Sequence, residues 1–197
     1  MYRRYPGIAM QAILVIVLAA ASAVADEVAD IHACNAGNMA KCEGLVMRYG
    51  EGADKDPVKW MAYAERACDL DSARVCNNLG VAWSEGPKQG APRIDQAKAF
   101  AYYKKACGHA KVLGCFNFGN SYRMGEGVAV NLNLALENFK RSCDLAEAKG
   151  CTELAIMHYE GKAVPKDVPV AKALLERACK LGSTIACRNA ETIKNAK

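Results

Sequence analysis

Ten cysteines, arranged as five pairs, constrain the fold of this chain more than any other feature of its sequence. The two members of each pair are eight positions apart, as in the segment from Cys68 to Cys76. Eight residues of one continuous helix span about 12 Å, whereas a disulfide requires Cα atoms within about 7 Å of each other. Either the two cysteines of a pair do not bond to each other, or the chain turns between them.

The cysteine pairs recur at a nearly constant interval along the chain. Their first members are separated by 34, 39, 36 and 36 residues, and a fixed period in this range is typical of repeat proteins. The interval of 39 residues contains three extra residues within the segment GPKQGAPRID of the second repeat. The interval of 34 residues is short because the first helix of the first repeat has two residues fewer. Each repeat is therefore predicted to contain a first helix that begins near the second cysteine of a pair, and a second helix that ends near the next pair.

Helix signals recur in phase with the cysteines and predict an all-α fold. Twelve residues before the first cysteine of a pair stand residues that favour the N-cap of a helix: Asp56, Asp95, Asn131 and Asp167. Pro57 follows the first of these at a position where proline suits a helix start. Apolar residues then recur at helical spacing through both helices of each repeat.

Small residues at matching positions predict close contacts between helices. One such position in the first helices is occupied by Gly80, Gly119 and Ala155. The second helices of later repeats carry a small residue followed four positions on by a large one. In the first repeat the order is reversed, with the large Trp60 followed by the small Ala64. Such an exchange is expected when the total volume of a packed core is conserved. We interpret the tryptophans and tyrosines as core or groove-lining residues rather than as a cofactor site.

The constant spacing also predicts which cysteines are bonded. Each pair brackets the turn between the second helix of one repeat and the first helix of the next, and such a turn brings the two thiols together. Gly114 and Gly150 are expected to supply turn-compatible backbone there. The predicted bonds are Cys34–Cys42, Cys68–Cys76, Cys107–Cys115, Cys143–Cys151 and Cys179–Cys187. A zinc site is disfavoured because such sites use shorter gaps between ligands.

The N-terminus has the pattern of a secretory signal peptide over residues 1–25. Arg3 and Arg4 precede an apolar run over 12–21, which is short for a membrane span, and the small residues Ala23 and Ala25 indicate cleavage before Asp26. An uncleaved N-terminal anchor is the alternative. We expect export to the periplasm or the medium, where disulfides persist, and no stable membrane span after cleavage.

Residues 26–197 are expected to form a single repeat domain. Its predicted units are 34–67, 68–106, 107–142 and 143–178, with 179–197 as a C-terminal cap. Removal of Arg3 and Arg4 lowers the formal net charge from +5 to +3. This mild excess is spread along the chain, without a basic cluster interleaved with aromatic residues, so nucleic acid is not an expected partner.

The segment FNFGNSYRMGEGVAVNLNLALENFKRSCDLAEAKGC resembles a Sel-type repeat, a relative of the tetratricopeptide repeat. With one disulfide pair per unit, the chain is similar to the Helicobacter cysteine-rich protein family over residues 31–190. The resemblance implies a right-handed α/α superhelical solenoid with a concave face. The first repeat lacks the helix-contact glycine, the second carries the insertion, and His158 stands where tyrosine is usual.

The resemblance implies three different functions. Sel-type proteins mostly act as adaptors that bind proteins or peptides. Members of the cysteine-rich family are described as penicillin-binding proteins or β-lactamases, and a mitochondrial intermembrane-space assembly factor for respiratory complexes is also similar. The predicted signal peptide favours bacterial export over the last of these.

The residues themselves give little support to hydrolase chemistry. A serine β-lactamase needs a lysine three residues after its nucleophilic serine, and none follows Ser72, Ser84, Ser121, Ser142 or Ser183. His32, His109 and His158 belong to different repeats and form no metal-ligand pattern. We therefore predict no catalytic residue, no metal site and no cofactor, and a hydrolase remains an alternative that rests on the resemblance.

Polar side chains on the first helices, outside the apolar stripe, are the candidate ligand-binding residues. They could hold the backbone of an extended peptide through amide hydrogen bonds, although plain solvation is the alternative. The candidates are Asn77, Asn78, Asn117, Asn120, Ser121, Arg123 and Glu153. The expected ligand is a protein, a peptide or a cell-wall fragment in the concave groove.

Overall fold

The computed structural model describes residues 23–51, 54–108 and 114–195, which form ten α-helices, one 3-10 helix and no β-strand. Helix α1 covers residues 23–35 of the described part. The others are α2 (Met39–Gly50), α3 (Pro57–Asp69), α4 (Ala73–Glu85), the 3-10 helix (Gly86–Gln89), α5 (Gln96–Gly108), α6 (Cys115–Met124), α7 (Leu132–Asp144), α8 (Ala148–Glu160), α9 (Val168–Lys180) and α10 (Thr184–Asn195). The predicted all-α fold is confirmed, whereas most of the predicted signal peptide and His109 lie outside the described residues.

Consecutive helices from α2 to α10 pack against each other. The most extensive contacts are within the pairs α2/α3, α4/α5, α6/α7 and α8/α9, and each pair then packs on the next through α3/α4, α5/α6, α7/α8 and α9/α10. Because nearly all contacts link neighbours in sequence, the molecule is a solenoid of helix pairs. We refer to α2, α4, α6 and α8 as the first helices of the repeats.

The second helices begin at the predicted N-caps. A side-chain oxygen of each cap residue accepts a hydrogen bond at 2.9–3.0 Å from a backbone N–H in the first turn of its helix. These cap residues are Asp56, Asp95, Asn131 and Asp167. Each bond satisfies a donor that the helix would otherwise leave free, so the four in-phase caps set the start of every second helix.

The turns after α1, α3, α7 and α9 share one backbone design. A residue with positive φ follows each of these helices, namely Gly37, Asp71, Ala146 and Gly182. The next residue donates its N–H back to the carbonyl oxygen five positions earlier, as in the bond from Ser72 to Ala67. This pattern of back-bonding closes the C-terminus of a helix, and it reverses the chain so that the next first helix can start.

The roles expected for two glycines in these turns are only half right. Gly114 has φ of +114° and lies at the N-cap of α6, as turn-compatible backbone requires. Gly150 lies inside α8 instead, and a Cβ there would collide with the Ser142 side chain and lie 2.9 Å from the backbone nitrogen of Cys143. Glycine is thus needed at this position for a close approach between helices rather than for the turn.

Disulfides join the ten cysteines in the pattern that the spacing predicts. The Cα atoms of each pair are 4.4–4.8 Å apart. The turn between them brings the two cysteines within bonding distance, which a continuous helix would not do. The first four bonds are buried, and the last, Cys179–Cys187, is half-buried. Every bond crosses one turn and ties the second helix of a repeat to the following first helix.

Removal of one buried disulfide should destabilise the array measurably. For the separation of eight residues between Cys143 and Cys151, restriction of the unfolded chain contributes about 2–3 kcal/mol. We expect Cys143→Ala/Cys151→Ala to lower the free energy of unfolding by at least this amount, because the alanines also leave unfilled volume. Urea unfolding followed by circular dichroism checks it, and Cys179→Ala/Cys187→Ala should cost less at the half-buried end.

The packing between the two helices of a repeat depends on matched residue sizes. A Cβ at Gly80 would overlap the ring of Tyr103, and a Cβ at Gly119 would lie 2.9 Å from the ring of Phe139. In the first repeat the larger Val46 occupies the glycine position, and the facing second helix carries the buried Ala64. The predicted exchange of large and small residues is therefore accommodated by complementary volumes on the two helices.

Two glycine substitutions with opposite expected effects test this packing. Gly80→Ala should lower the free energy of unfolding, because overpacking costs about 1–3 kcal/mol and exceeds the gain in helix propensity. Gly44→Ala should raise it by about 0.5–1 kcal/mol, since nothing lies within 4 Å of a Cβ built there. Thermal unfolding of both variants in parallel makes the comparison, and equal effects would contradict it.

Candidate binding surface on the first helices

Polar contacts join successive first helices across the repeats. Between α2 and α4, Arg74 Nη2 lies 3.1 Å from Glu43 Oε2. Between α4 and α6, the Asn117 side-chain amide donates to Asn77 Oδ1 at 2.8 Å. These contacts place side chains from different repeats side by side on one surface, which we call the first-helix surface and define as the solvent-facing sides of α2, α4, α6 and α8.

The same surface continues from α6 to α8 through Arg123. Its guanidinium donates two hydrogen bonds to Asn120 Oδ1, at 3.2 and 3.0 Å, and its Nε lies 3.9 Å from Glu153 Oε2. Arg123 thereby fixes the asparagine within its own helix and approaches the acid of the next one. Three residues predicted from two separate repeats are thus brought into one cluster.

Two of the predicted binding residues behave differently from the others. Asn78 is exposed, and no hydrogen bond of its side chain is present within the described residues. Ser121 is 2% exposed and its hydroxyl donates to the Asn117 carbonyl oxygen at 3.1 Å. Ser121 therefore lies on the buried side of α6 and does not belong to the first-helix surface. The prediction was wrong here because a polar side chain was taken to indicate an exposed position.

A cavity of about 740 Å³ opens on this surface between the first two repeats. Its walls come from the C-terminal half of α2, the start of α3, the exposed side of α4 and the 3-10 helix. Asn78 is the sole lining residue that the sequence singled out as a binding candidate. The three-residue insertion in GPKQGAPRID was the available signal for this cavity, because the inserted segment supplies the 3-10 helix that forms one wall.

Trp60 forms an apolar wall of the cavity, which we call the Trp60 cavity. A Cβ at Gly50 would lie 3.1 Å from Trp60 Cδ1, and one at Gly90 would lie 3.4 Å from Cε3. The indole is thus seated between two glycines, and Gly90 has φ of +94°, which favours glycine there in any case. Trp60 remains half-buried, so the rest of its surface is presented to the cavity.

The cavity wall is tied to α1 through Tyr49. The Tyr49 hydroxyl donates to the Glu27 carboxylate, which also pairs with Arg48 at 3.2 Å and Lys59 at 3.8 Å. Burial, followed by the bond to Glu27, raises the pKa of the Tyr49 phenol to about 12. The same hydrogen bond lowers the pKa of Glu27. At neutral pH a neutral phenol and a carboxylate therefore connect α1 to the wall.

The described residues assemble no recognisable hydrolytic centre. No group of three or more His, Cys, Asp or Glu side chains within them is placed to hold a metal ion. The hydroxyl of Ser142 donates to Glu147 at 2.6 Å and that of Ser84 to the Val81 carbonyl oxygen at 3.0 Å, rather than to a lysine. Burial raises the pKa of Glu147 while the Ser142 bond lowers it, which suits a packed carboxyl at a helix start.

His158 is a packed residue in the first helix of the fourth repeat. Its Nδ1 is buried without a hydrogen-bond partner among the described residues, as expected for a histidine that replaces an aromatic side chain on the core-facing stripe. Trp83 occupies the corresponding position in the second repeat, is 5% exposed, and carries the Lys98 amine 3.9 Å above its ring. Neither residue opens onto the Trp60 cavity.

Within residues 23–51, 54–108 and 114–195, we find no helix with the length and apolar character needed to cross a membrane.

A solenoid of helix pairs with a disulfide across each turn defines a class of helical repeat proteins. A sequence model of the Sel1 repeat matches residues 38–72, 73–109, 112–146 and 148–183, and the chain belongs to the Sel1 repeat family. Cysteine-rich protein B of Helicobacter pylori is 32% identical, with a TM-score of 0.55, over 71% of this chain and 98% of that protein. The predicted family resemblance is confirmed.

Other similar proteins share the fold or part of the sequence. A protective antigen of uropathogenic Escherichia coli matches with a TM-score of 0.74 and 23% identity, over 83% of this chain and 35% of that one. Cytochrome c oxidase assembly factor 7A of Xenopus laevis is 34% identical over 110 residues, which are 51% of this chain and 46% of that protein. The chain thus spans about half the length of the curated relatives it matches.

Proposed function

We propose that this protein is an exported binding module that holds a segment of a partner protein along its first-helix surface. The observation that carries the proposal is the row of polar contacts through α2, α4, α6 and α8, in which Asn117 and Asn120 are held in place by neighbouring side chains. Side chains that are already ordered lose less entropy when a ligand binds. Sel1 repeats in general mediate protein–protein interactions, which supports a partner of this kind.

The proposed export is supported by the disulfides, and the contacts of α1 are compatible with it. Five disulfides suit an oxidising compartment. Cleavage before Asp26 would retain Glu27 and its contacts with α2 and α3, so the shortened α1 would still cover the first repeat. N-terminal sequencing of the protein recovered from periplasm and medium should begin at Asp26, and recovery of an intact Met1 would contradict this cleavage.

Site-specific photo-crosslinking tests the proposed binding surface. With a photoreactive amino acid at Asn120, we expect covalent capture of a defined partner protein, because this position lies among the ordered polar side chains. The matched control carries the same group at Lys140, which is exposed on a second helix. Equal capture from both positions, or capture of cell-wall fragments alone, would contradict the proposed protein partner.

A second candidate function is favoured by the sequence relatives. The match to a cytochrome c oxidase assembly factor supports an adaptor that engages a respiratory complex during its assembly. The same crosslinking experiment distinguishes this candidate, since oxidase subunits would then dominate among the captured proteins. Their absence from the captured set would leave the general binding module in place and remove the assembly role.

A further inference from the structure

We propose that the Trp60 cavity binds one apolar side chain of a partner peptide whose flanking residues are acidic. This inference rests on the proposed function and deepens it, because it assigns a chemical class to the segment that the first-helix surface would hold. The cavity lies at one end of that surface, where α2 and α4 are adjacent. A cavity of about 740 Å³ is within the range of small ligand sites, about 300–1,000 Å³.

The apolar part of the cavity supplies the anchor site. Met47 and Val81 occupy the same position of consecutive first helices and line the cavity together with Val46 and Trp60. Met47 is 63% exposed, so much of its side chain is accessible to a ligand. Covering Met47 and the free part of the indole would remove apolar surface from water, and an unbranched thioether adapts to differently shaped anchors.

The charges around the cavity select the flanking residues. Lys55, which precedes α3, and Lys88, within the 3-10 helix, both line it. In the described part of the chain neither lysine makes an ion pair, whereas Arg74 is paired with Glu43. Among the described residues that line the cavity, Glu51 is the one with an acidic side chain. The positive excess therefore complements acidic residues that flank an apolar anchor.

Asn78 supplies a polar group that can hold the peptide main chain. Its side-chain amide can donate to a carbonyl oxygen and accept from an N–H at the same time. Asn77 next to it is engaged by Asn117, so Asn78 is the amide of this pair that faces the cavity without a partner in the described residues. An extended segment anchored at Trp60 could thus continue along α4 towards α6.

Fluorescence anisotropy with synthetic peptides and the oxidised protein tests the assignment. The probes are three labelled ten-residue peptides: a central Phe flanked by Asp and Glu, the same Phe flanked by Lys, and Ala in the acidic context. At low salt we expect the acidic Phe peptide to bind at least fivefold more tightly than the other two. Met47→Ala should weaken its binding several-fold, because the anchor contact is reduced.

Charge reversal provides the matched comparison. Lys55→Glu/Lys88→Glu should abolish or invert the preference for acidic flanks, whereas Lys104→Glu/Lys140→Glu, at exposed positions elsewhere, should preserve it at the same net charge. Far-ultraviolet circular dichroism of both variants shows whether the helices are retained. Because the interaction is electrostatic, the preference should also shrink at 0.5 M salt, where the screening length is about 4 Å.

Three outcomes would overturn the inference: no peptide binds, the Phe and Ala peptides bind equally, or the lysine variant keeps the acidic preference. None of these depends on the crosslinking experiment. A partner captured from Asn120 whose affinity is unchanged by Lys55→Glu/Lys88→Glu would leave the proposed function standing and remove the Trp60 cavity from it. Failure of both experiments would remove the proposed function as well.

Discussion

The disulfide across each turn between repeats is the constraint on which the rest of this structure depends. A single helix pair is too small to bury its apolar face alone, so each repeat relies on contact with the next. The bond joins the end of one repeat to the start of the following one with Cα atoms only 4.4–4.8 Å apart. In every repeat the bond thereby holds the second helix against the first helix of the following repeat. The relative placement of these two helices determines the position of the first-helix surface.

Matched side-chain volumes explain why the repeats are not identical along that surface. In the second and third repeats, a glycine faces the ring of Tyr103 or Phe139. The first repeat places Val46 against a small residue, and its large aromatic residue, Trp60, is moved one helical turn towards the start of α3. The indole then lies between Gly50 and Gly90 and becomes a wall of a cavity. The different placement of large and small residues in the first repeat has thus created the Trp60 cavity on the surface of the solenoid.

The sequence predicted those features of the fold that are fixed locally or by the repeat period. The N-cap residues, the turns and the disulfides all follow from short-range spacing, and the family resemblance extends this to the solenoid. Contacts between repeats could not be predicted in the same way: Asn77 and Asn117 are 40 residues apart, and their pairing depends on how α4 and α6 are placed by everything between them. Ser121 was misassigned for a related reason, since its burial depends on the side of α6 that packs against its neighbours.

Specific recognition in such a protein is expected where the repeats depart from their common pattern. The residues that recur in every repeat form the helix caps, the turns and the contacts between helices. They recur because each repeat needs them in order to pack. The insertion in the second repeat is under no such requirement, and it forms a 3-10 helix that places Lys88 in the lining of the Trp60 cavity. On α4, Asn77 accepts a hydrogen bond from Asn117 of the next repeat, whereas the neighbouring Asn78 lines that cavity. Under the proposed function, the first-helix surface would hold extended segments of a partner, and the irregular end is the part whose shape and charge would distinguish between them.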